Sequence, residues 1–338
     1  AMREKDEKIP LSLGVIGQET CGAGGFAYGM RSIRDMIALV EKVRARSPRA
    51  WILNYTNPAA IVADALNKRF PDDDRILNIC DQPVNLLRSY GRLLSRDPAT
   101  FDPVYFGLNH FGWFTHLYDE NGHDLAPELK AYIAKNGFIP ADAEQRDQSW
   151  LDTYAAVADM LHDFPDYLPN TYLQYYLYPE YKFSKLDPNF TRANEVINGR
   201  EKRVFDECRT AVAEGTTRNV HVVHNDAHGD MIVELAEAIA FNLKKKFIVM
   251  VPNNGLVENL DDDVMVELTA EVGSNGPRPY GVGKIPTFSK GRLEQQVAYE
   301  RLPAEAGFDG WLTQAVQARP ATRTLLAAKQ VRQGLDAL

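Results

Sequence analysis

Polar side chains that can do chemistry follow three apolar segments of the sequence, at the point where each segment ends. The segments are 51–55, 75–80 and 104–108, and each has the length and composition of a buried strand. The side chains at these ends are two amides, a thiol next to a carboxylate, and an amide next to an imidazole: Asn54 and Asn57, Cys80 and Asp81, and Asn109 and His110. Ligands of open α/β sheets bind beyond the carboxyl ends of the strands. The pattern therefore predicts a functional site at these ends, although Asn57 and Asp81 are also suitable helix N-caps.

The thiol and the imidazole could bind one divalent metal ion. Cys80 and His110 would supply two ligands, and water and substrate oxygens would complete the shell. A thiolate with one imidazole accepts several divalent ions, so the residue types do not name the metal. A lone cysteine at a strand end is more often a small buried apolar residue, and this alternative stays open. The run of His221, His224 and His228 is a weaker candidate for a metal site.

Alternating helical and extended patterns surround these strands and predict parallel βαβ units in a doubly wound sheet. Helical spacing of apolar residues covers 30–43, a second helix opens at Asn57-Pro58, and a third covers 83–94. A dinucleotide-binding sheet normally has six strands, and Gly22–Gly25 does not form the fingerprint G-x-G-x-x-G after a strand. We therefore expect the second half of a Rossmann-like sheet, with the N-terminal dinucleotide-binding half, roughly 90 residues, missing.

Composition excludes several classes of protein. The 338 residues include 38 Lys and Arg against 46 Asp and Glu, which gives a net charge of −8. An acidic chain is a poor candidate for binding nucleic acid or an anionic membrane, but one or two arginines can still hold a small anion. No run of about eighteen apolar residues suggests a membrane span. Three cysteines and a charged N-terminal stretch without a secretory signal predict a cytoplasmic protein.

Segments along nearly the whole chain resemble the NAD-dependent glycoside hydrolases of family 4, most closely their 6-phospho-α-glucosidase branch. The matching segments are AMREKDEKIP at 1–10, GQETCGAGGFAYGMRSI at 17–33, LNYTNPAAIVA at 53–63, ILNICDQP at 76–83, GLNHFGWFT at 107–115, LPNTYLQYYL at 168–177, TRANEV at 191–196 and VGSNGP at 272–277. We therefore expect this chain to lack the strand, glycine turn and helix that hold the dinucleotide in the family.

The resemblance implies a mechanism that differs from the two-carboxylate hydrolysis of most glycosidases. NAD oxidises the sugar at C3, a base removes the C2 proton that becomes acidic, and the aglycone leaves from C1. Water then adds and the ketone is reduced again. Mn²⁺ or another divalent metal binds the oxygens of C2 and C3. The implied substrate is a small phosphorylated disaccharide such as maltose 6-phosphate.

The resemblance also assigns roles to single residues. Cys80 and His110 match the metal ligands, and Asp81 matches the proton donor to the departing oxygen. Tyr172 matches the C2 base, but it lies in a segment, 154–181, that holds seven of the fifteen tyrosines and could be one more packed ring. A free tyrosine has a pKa near 10, so a base at neutral pH needs a neighbouring cation. The positions that match substrate contacts are Arg3, Asn57 and Arg192, of which the arginines suit a 6-phosphate.

The pattern changes beyond residue 120 and predicts a second domain. Helical stretches at 230–243 and 311–338 are mixed with a strand at 247–251. We expect the remaining part of a Rossmann-like NAD domain at 1–120, and an α+β domain for substrate binding, catalysis and oligomerisation at 121–338. A sheet that lacks strands exposes an edge, which favours a homo-oligomer, either a dimer or a tetramer.

Three alternatives to this function stay open from the sequence. The chain could be a 6-phospho-β-glucosidase or another family 4 glycosidase, although Asp81 after Cys80 resembles the α-specific branch. It could be a 2-hydroxy-acid dehydrogenase on a related sheet, but no convincing His/Asp relay is present. It could also be an inactive fragment that binds sugar phosphates, because without the dinucleotide half we expect neither tight NAD binding nor turnover.

Overall fold

A computed structural model describes residues 2–18, 20–140, 143–218 and 227–309. The α-helices in chain order are α1 (Met2–Ser12), α2 (Gly22–Arg46), α3 (Ala59–Arg69), α4 (Gln82–Leu94), α5 (Ala126–Asn136), α6 (Gln148–Asp163), α7 (Gln174–Leu177), α8 (Pro179–Lys185), α9 (Arg192–Glu195), α10 (Glu201–Glu214), α11 (Ala227–Phe241) and α12 (Thr287–Asp309). The strands are β1 (Ile52–Asn54), β2 (Ile76–Ile79), β3 (Asp102–Leu108), β4 (Phe111–Tyr118), β5 (Leu168–Pro169), β6 (Lys245–Pro252), β7 (Met265–Gly273) and β8 (Gly276–Pro279).

The larger sheet has five strands in the order β1-β2-β6-β7-β8. Only β1 and β2 are parallel, with Ile52 opposite Ile76, and helix α3 connects them as expected for a βαβ unit. The remaining neighbouring strands of this sheet pair antiparallel. In the first of these pairs, β2 with β6, Asn78 lies opposite Met250. The fold is therefore mixed α/β, and the expectation of a uniformly parallel sheet is wrong. The expectation of a parallel sheet rests on the alternation of helices and strands along the chain. This alternation does not determine the direction of a strand, such as β6, that joins the sheet from a distant part of the chain.

The third predicted strand, 104–108, belongs to a separate sheet of three antiparallel strands, β3-β4-β5. Leu108 pairs with Phe111, so only Asn109 and His110 form the turn between β3 and β4. A two-residue connection returns the chain antiparallel and leaves no room for a crossover helix. His110 takes a left-handed conformation in this turn, with a φ of 62°. Such backbone strain in a non-glycine residue costs of order 1–3 kcal/mol and is often found at functional sites.

The two sheets pack against each other through β3 and β7. The hydroxyl of Thr269 donates a hydrogen bond to the carbonyl of Pro103 at 2.8 Å. Gly112, opposite Gly107 in the hairpin, makes space for a β3 side chain, because a Cβ there would lie 2.4 Å from the phenol oxygen of Tyr105. This packing carries Asn109 and His110, which follow β3, to the end of β2, where Cys80 lies.

Four of the predicted helices are confirmed as α2, α3, α4 and α11. The predicted helix at 311–338 lies outside the described residues. None of the described helices is both long and apolar enough to cross a membrane. The larger sheet takes strands from both sides of residue 120, and the division into domains stays a prediction. The absence of a preceding dinucleotide-binding half likewise stays a prediction.

Candidate active site

Cys80 and His110 lie in direct contact at the meeting point of the two sheets. The distance between Cys80 Sγ and His110 Nε2 is 3.4 Å, and both residues are at most 6% exposed. Zinc-like bond lengths of about 2.3 Å to sulfur and 2.1 Å to nitrogen would separate two ligands of one ion by roughly 3.1–3.6 Å. The observed distance therefore fits two ligands of a single metal ion. The two residues thus lie in contact, and their role as metal ligands stays a prediction.

The side chain of Gln18 fixes the protonation pattern of His110 through Thr20. The amide oxygen of Gln18 accepts hydrogen bonds from the backbone N–H groups of Thr20 and Cys21 and from the Thr20 hydroxyl. A hydroxyl has one proton to donate, so Thr20 Oγ1 must accept from His110 Nδ1, 3.3 Å away. The proton of the neutral imidazole therefore lies on Nδ1, and the lone pair of Nε2 faces Cys80. Hydrogen bonds of this kind orient histidine ligands of metals.

Burial sets the charge of both candidate ligands. It lowers the pKa of His110 to about 4, so this imidazole is neutral at pH 7. It also raises the pKa of the Cys80 thiol well above its usual range, and the negative charges of Asp81 and Glu267 add to this increase. The thiol is therefore protonated in the metal-free protein. A cation that binds here has to displace the thiol proton, as metal thiolate sites in general require.

Asp81 lies next to Cys80 and is held by side chains. The Tyr55 hydroxyl donates to one carboxylate oxygen and the Asn85 amide donates to the other, both at 2.6 Å. Asp81 is the N-cap residue of α4 by position, but its side chain makes no capping hydrogen bond. The helix-cap interpretation therefore does not explain this residue. Its carboxylate stays half-buried beside the candidate metal ligands.

Tyr172 stacks on His110. The two ring centroids are 4.2 Å apart with an angle of 19° between the planes, and Tyr172 is 5% exposed. The Asn170 side chain holds this turn by accepting the backbone N–H of Tyr172 at 3.0 Å. Burial raises the pKa of the Tyr172 phenol well above 10, and the positive charge of Arg192 opposes this only in part. The phenol is thus neutral in the metal-free protein, and further positive charge nearby is needed to make it a base.

A cavity of about 240 Å³ opens beside Tyr172, and we refer to it as the Tyr172 cavity. Its walls include Glu7, Trp150, Tyr172, Tyr175, Lys182 and Arg192. Glu7 of α1 accepts a hydrogen bond from the backbone N–H of Ala193 at 2.8 Å, which fixes α1 against α9. The structure therefore places both Tyr172 and Arg192 at one cavity.

The two predicted arginines are already paired with carboxylates. Arg192 makes ion pairs with Asp147 and with Glu195, the second at 2.9 Å. Arg3 lies on α1 and contacts Glu7 at 3.4 Å. Both side chains are therefore held in place near the Tyr172 cavity. Their positive charge is balanced before any substrate binds.

The amides predicted for the site have structural partners. Asn54 donates to Asn78 at 2.8 Å, between β1 and β2, and Asn109 donates to Glu267 at 3.0 Å. Asn57 is half-buried and precedes Pro58 through a cis peptide bond. Within the described ranges, no hydrogen bond links the Asn57 side chain to Cys80, His110 or Tyr172. The role of Asn57 as a substrate contact stays a prediction.

Sequence reasoning missed Glu267 as well as Gln18 and Thr20. Glu267 lies in the middle of β7, is fully buried, and has one carboxylate oxygen without a hydrogen-bond partner. Burial raises the pKa of Glu267 to about 7. A single acidic residue inside the apolar segment 264–268 was a signal that could have identified it. The polar run before the glycine turn was the corresponding signal for Gln18 and Thr20.

The described residues contain no cluster of three or more His, Cys, Asp or Glu side chains that could hold a metal. To hold a metal ion, Cys80 and His110 would therefore need oxygen ligands from water or substrate. The side chains of His221, His224 and His228 lie outside the described part of the chain.

Two family profiles match this chain. "Family 4 glycosyl hydrolase" matches residues 1–94, and "Family 4 glycosyl hydrolase C-terminal domain" matches residues 105–321. The first contains Cys80 and Asp81, and the second contains His110, Tyr172 and Arg192.

Related proteins agree with the profiles. The maltose-6'-phosphate glucosidase MalH of Clostridium acetobutylicum is 47% identical over 341 residues, which cover 100% of this chain and 77% of the relative. The crystal structure of a 6-phospho-alpha-glucosidase from gut microorganisms in complex with NAD and Mn²⁺ is 57% identical and has a TM-score of 0.95. The match covers 99% of the present chain and 76% of the related one. The crystal structure of a second 6-phospho-alpha-glucosidase from gut microorganisms, in complex with NAD and glucose-6-phosphate, is 40% identical and has a TM-score of 0.93. This match covers 99% of the present chain and 77% of the related one.

Proposed function

The chain belongs to glycosyl hydrolase family 4, and from this premise we propose that it hydrolyses 6-phospho-α-glucosides such as maltose 6-phosphate. The contact of Cys80 with His110, and of His110 with Tyr172, is the observation that carries the proposal. These three residues are distant in sequence, and together they provide two metal ligands and a titratable oxygen. Family membership favours this reaction over the hydroxy-acid dehydrogenase considered from the sequence.

We infer that the enzyme uses a divalent metal, Mn²⁺ as in the related structure, together with NAD. The thiol and imidazole pair fits a metal ion by its donor types and its 3.4 Å separation. Among the described segments, none combines a strand, a glycine-rich turn and a helix N-terminus, so we assign no residue to the dinucleotide. When bound, NAD would accept a hydride from C3, and the metal would polarise the oxygens of C2 and C3.

Two residues of the chain, Tyr172 and Asp81, carry out the proposed proton transfers. Tyr172 removes the proton from C2 as a general base, and its stacking on His110 keeps the phenol close to the charge of the occupied metal site. Asp81, adjacent to Cys80, delivers a proton to the glycosidic oxygen while the bond to C1 breaks. In the return half of the reaction, the same carboxylate takes a proton from the water that adds to C1. Arg192, in the wall of the Tyr172 cavity, orients the sugar together with Arg3, and Asn57 is proposed as a further substrate contact.

A comparison of maltose 6-phosphate with maltose tests the proposed substrate class. We expect kcat/KM to be about ten- to a hundredfold higher for the phosphorylated sugar, since a charged hydrogen bond contributes about 1.5–3 kcal/mol. Release of glucose or glucose 6-phosphate is measured in the presence of NAD and Mn²⁺. The matching β-linked substrate, cellobiose 6-phosphate, should be hydrolysed more slowly.

Equal kcat/KM for maltose and maltose 6-phosphate would contradict the proposal. Faster cleavage of cellobiose 6-phosphate would assign the chain to the β-specific enzymes instead. Binding of glucose 6-phosphate without turnover, with both cofactors present, would favour the inactive sugar-phosphate binder.

We also propose that the chain forms a homo-oligomer through α10. None of the residues in α10 is buried, and Phe205 and Val212 are 54% and 84% exposed. The helix carries both positive and negative side chains, which suits a two-fold interface between identical surfaces. Light scattering should give a molar mass that is a multiple of the 38.0 kDa chain mass. Val212→Glu should lower the measured molar mass towards that of a single chain. An unchanged mass in Phe205→Glu and Val212→Glu would exclude this surface.

We further propose a cytoplasmic location. All three cysteines are free, and Cys208 is exposed. Free thiols persist in the reducing cytoplasm, and a buried thiolate ligand such as Cys80 needs the same protection from oxidation.

A further inference from the structure

Lys182, in the wall of the Tyr172 cavity, is a cation without a carboxylate partner among the described residues. The residue is only 5% exposed, and in the described part of the chain its ammonium group makes no ion pair and no side-chain hydrogen bond. Its nearest interaction is with the ring of Tyr175, whose centroid lies 5.2 Å from Nζ. Burial of a charged group without a partner is costly. A ligand that brings negative charge into the cavity would offset this cost.

The other cations around the Tyr172 cavity are either balanced by carboxylates or exposed to solvent. Arg192 is balanced by Asp147 and Glu195, and Lys185 is an exposed residue that lies over the ring of Tyr181. Burial lowers the pKa of Lys182, and the charge of Asp152 opposes this decrease only in part. An entering anion is therefore expected to gain most from contact with Lys182.

We propose that Lys182 binds the 6-phosphate group of the substrate; this inference rests on the proposed function. The phosphate must lie away from the C2 atom at which Tyr172 acts, because C2 and the 6-phosphate are at opposite ends of the sugar. Lys182 meets this requirement. Tyr172 stacks on His110, Tyr175 contacts Tyr172 with ring centroids 5.7 Å apart, and Lys182 lies against Tyr175. Arg192 then holds sugar hydroxyls, while the lysine supplies the charge that distinguishes a phosphorylated from a free sugar.

Binding of glucose 6-phosphate and of glucose to the enzyme loaded with NAD and Mn²⁺ tests this assignment by calorimetry. We expect Lys182→Met to weaken glucose 6-phosphate binding about ten- to a hundredfold and to leave glucose binding within about twofold. Lys182→Arg should retain part of the preference, because it keeps the positive charge. Lys185→Met is the matched control on the same helix and should behave as the unaltered enzyme.

Each result decides the proposal. Equal losses for both ligands in Lys182→Met would indicate a structural role, and an unchanged preference would assign the phosphate to another residue. Either outcome overturns the inference and leaves the proposed function intact. If the unaltered enzyme binds glucose 6-phosphate no better than glucose, the proposed function and the inference both fail.

A measurement on the unaltered protein covers the case in which Lys182→Met does not fold. Glucose 6-phosphate should protect Lys182 from acylation by an amine-reactive ester, while glucose should not. Peptide mass spectrometry reads the modification, and Lys185 serves as the internal control. Equal protection by both sugars, or protection by neither, would contradict a phosphate contact.

Discussion

Replacement of Tyr172 by phenylalanine is expected to lower kcat by about 10²- to 10⁴-fold, the usual contribution of a general base. The change keeps the ring that stacks on His110 and removes only the oxygen that takes the C2 proton. Exchange of the C2 hydrogen with solvent deuterium should decrease to the same extent, and KM should change little. The assays are steady-state kinetics and proton NMR of the recovered sugar.

Tyr90→Phe provides the control for this experiment. Tyr90 is also fully buried, and its hydroxyl finds no hydrogen-bond partner among the described residues. Loss of this oxygen should leave both kcat and C2 exchange unchanged. If Tyr172→Phe retains full C2 exchange, another group is the base and the role of Tyr172 is limited to packing.

Cys80→Ser and His110→Ala are expected to lower Mn²⁺ affinity by more than about a hundredfold, because each removes a direct ligand. Thr20→Val should lower Mn²⁺ affinity about ten- to a hundredfold, which is the range typical when a metal ligand loses its hydrogen bond to an outer residue. Thr20→Ser keeps the hydroxyl and should bind Mn²⁺ as the unaltered protein does. Electron paramagnetic resonance of free Mn²⁺ measures these affinities without an activity assay. Cys208→Ser, at an exposed thiol, is the control.

The pH dependence of Mn²⁺ binding checks the same site. Burial raises the pKa of Cys80, so the thiol holds its proton at neutral pH and must release it when the metal binds. Affinity should therefore increase as the pH rises towards the pKa of the thiol. An affinity that is independent of pH, or retained metal-dependent activity in chelator-treated Cys80→Ser, would contradict the assignment.

Local patterns in the sequence were sufficient for four of the twelve described helices and for three of the residues that could carry chemistry, Cys80, Asp81 and His110. The 3.6-residue spacing of apolar side chains identified α2, and short apolar runs identified β1, β2 and β3, because these signals depend only on neighbouring residues. The resemblance to family 4 was likewise carried by short segments around Cys80, His110 and Tyr172. Which residue types could form a site was thus determined by the sequence.

Only the tertiary structure decided how these pieces combine and what charge they carry. The antiparallel pairing of β6 with β2 joins segments about 170 residues apart, and no local period encodes the direction of such a pair. The hydrogen bond that sets the tautomer of His110 comes from Thr20, 90 positions away. Whether a cation is free depends on which carboxylates the fold brings beside it. Arg192 has two such partners, and Lys182 has none among the described residues. Pairing and burial arise from contacts between distant segments, and these contacts exist only once the chain has folded.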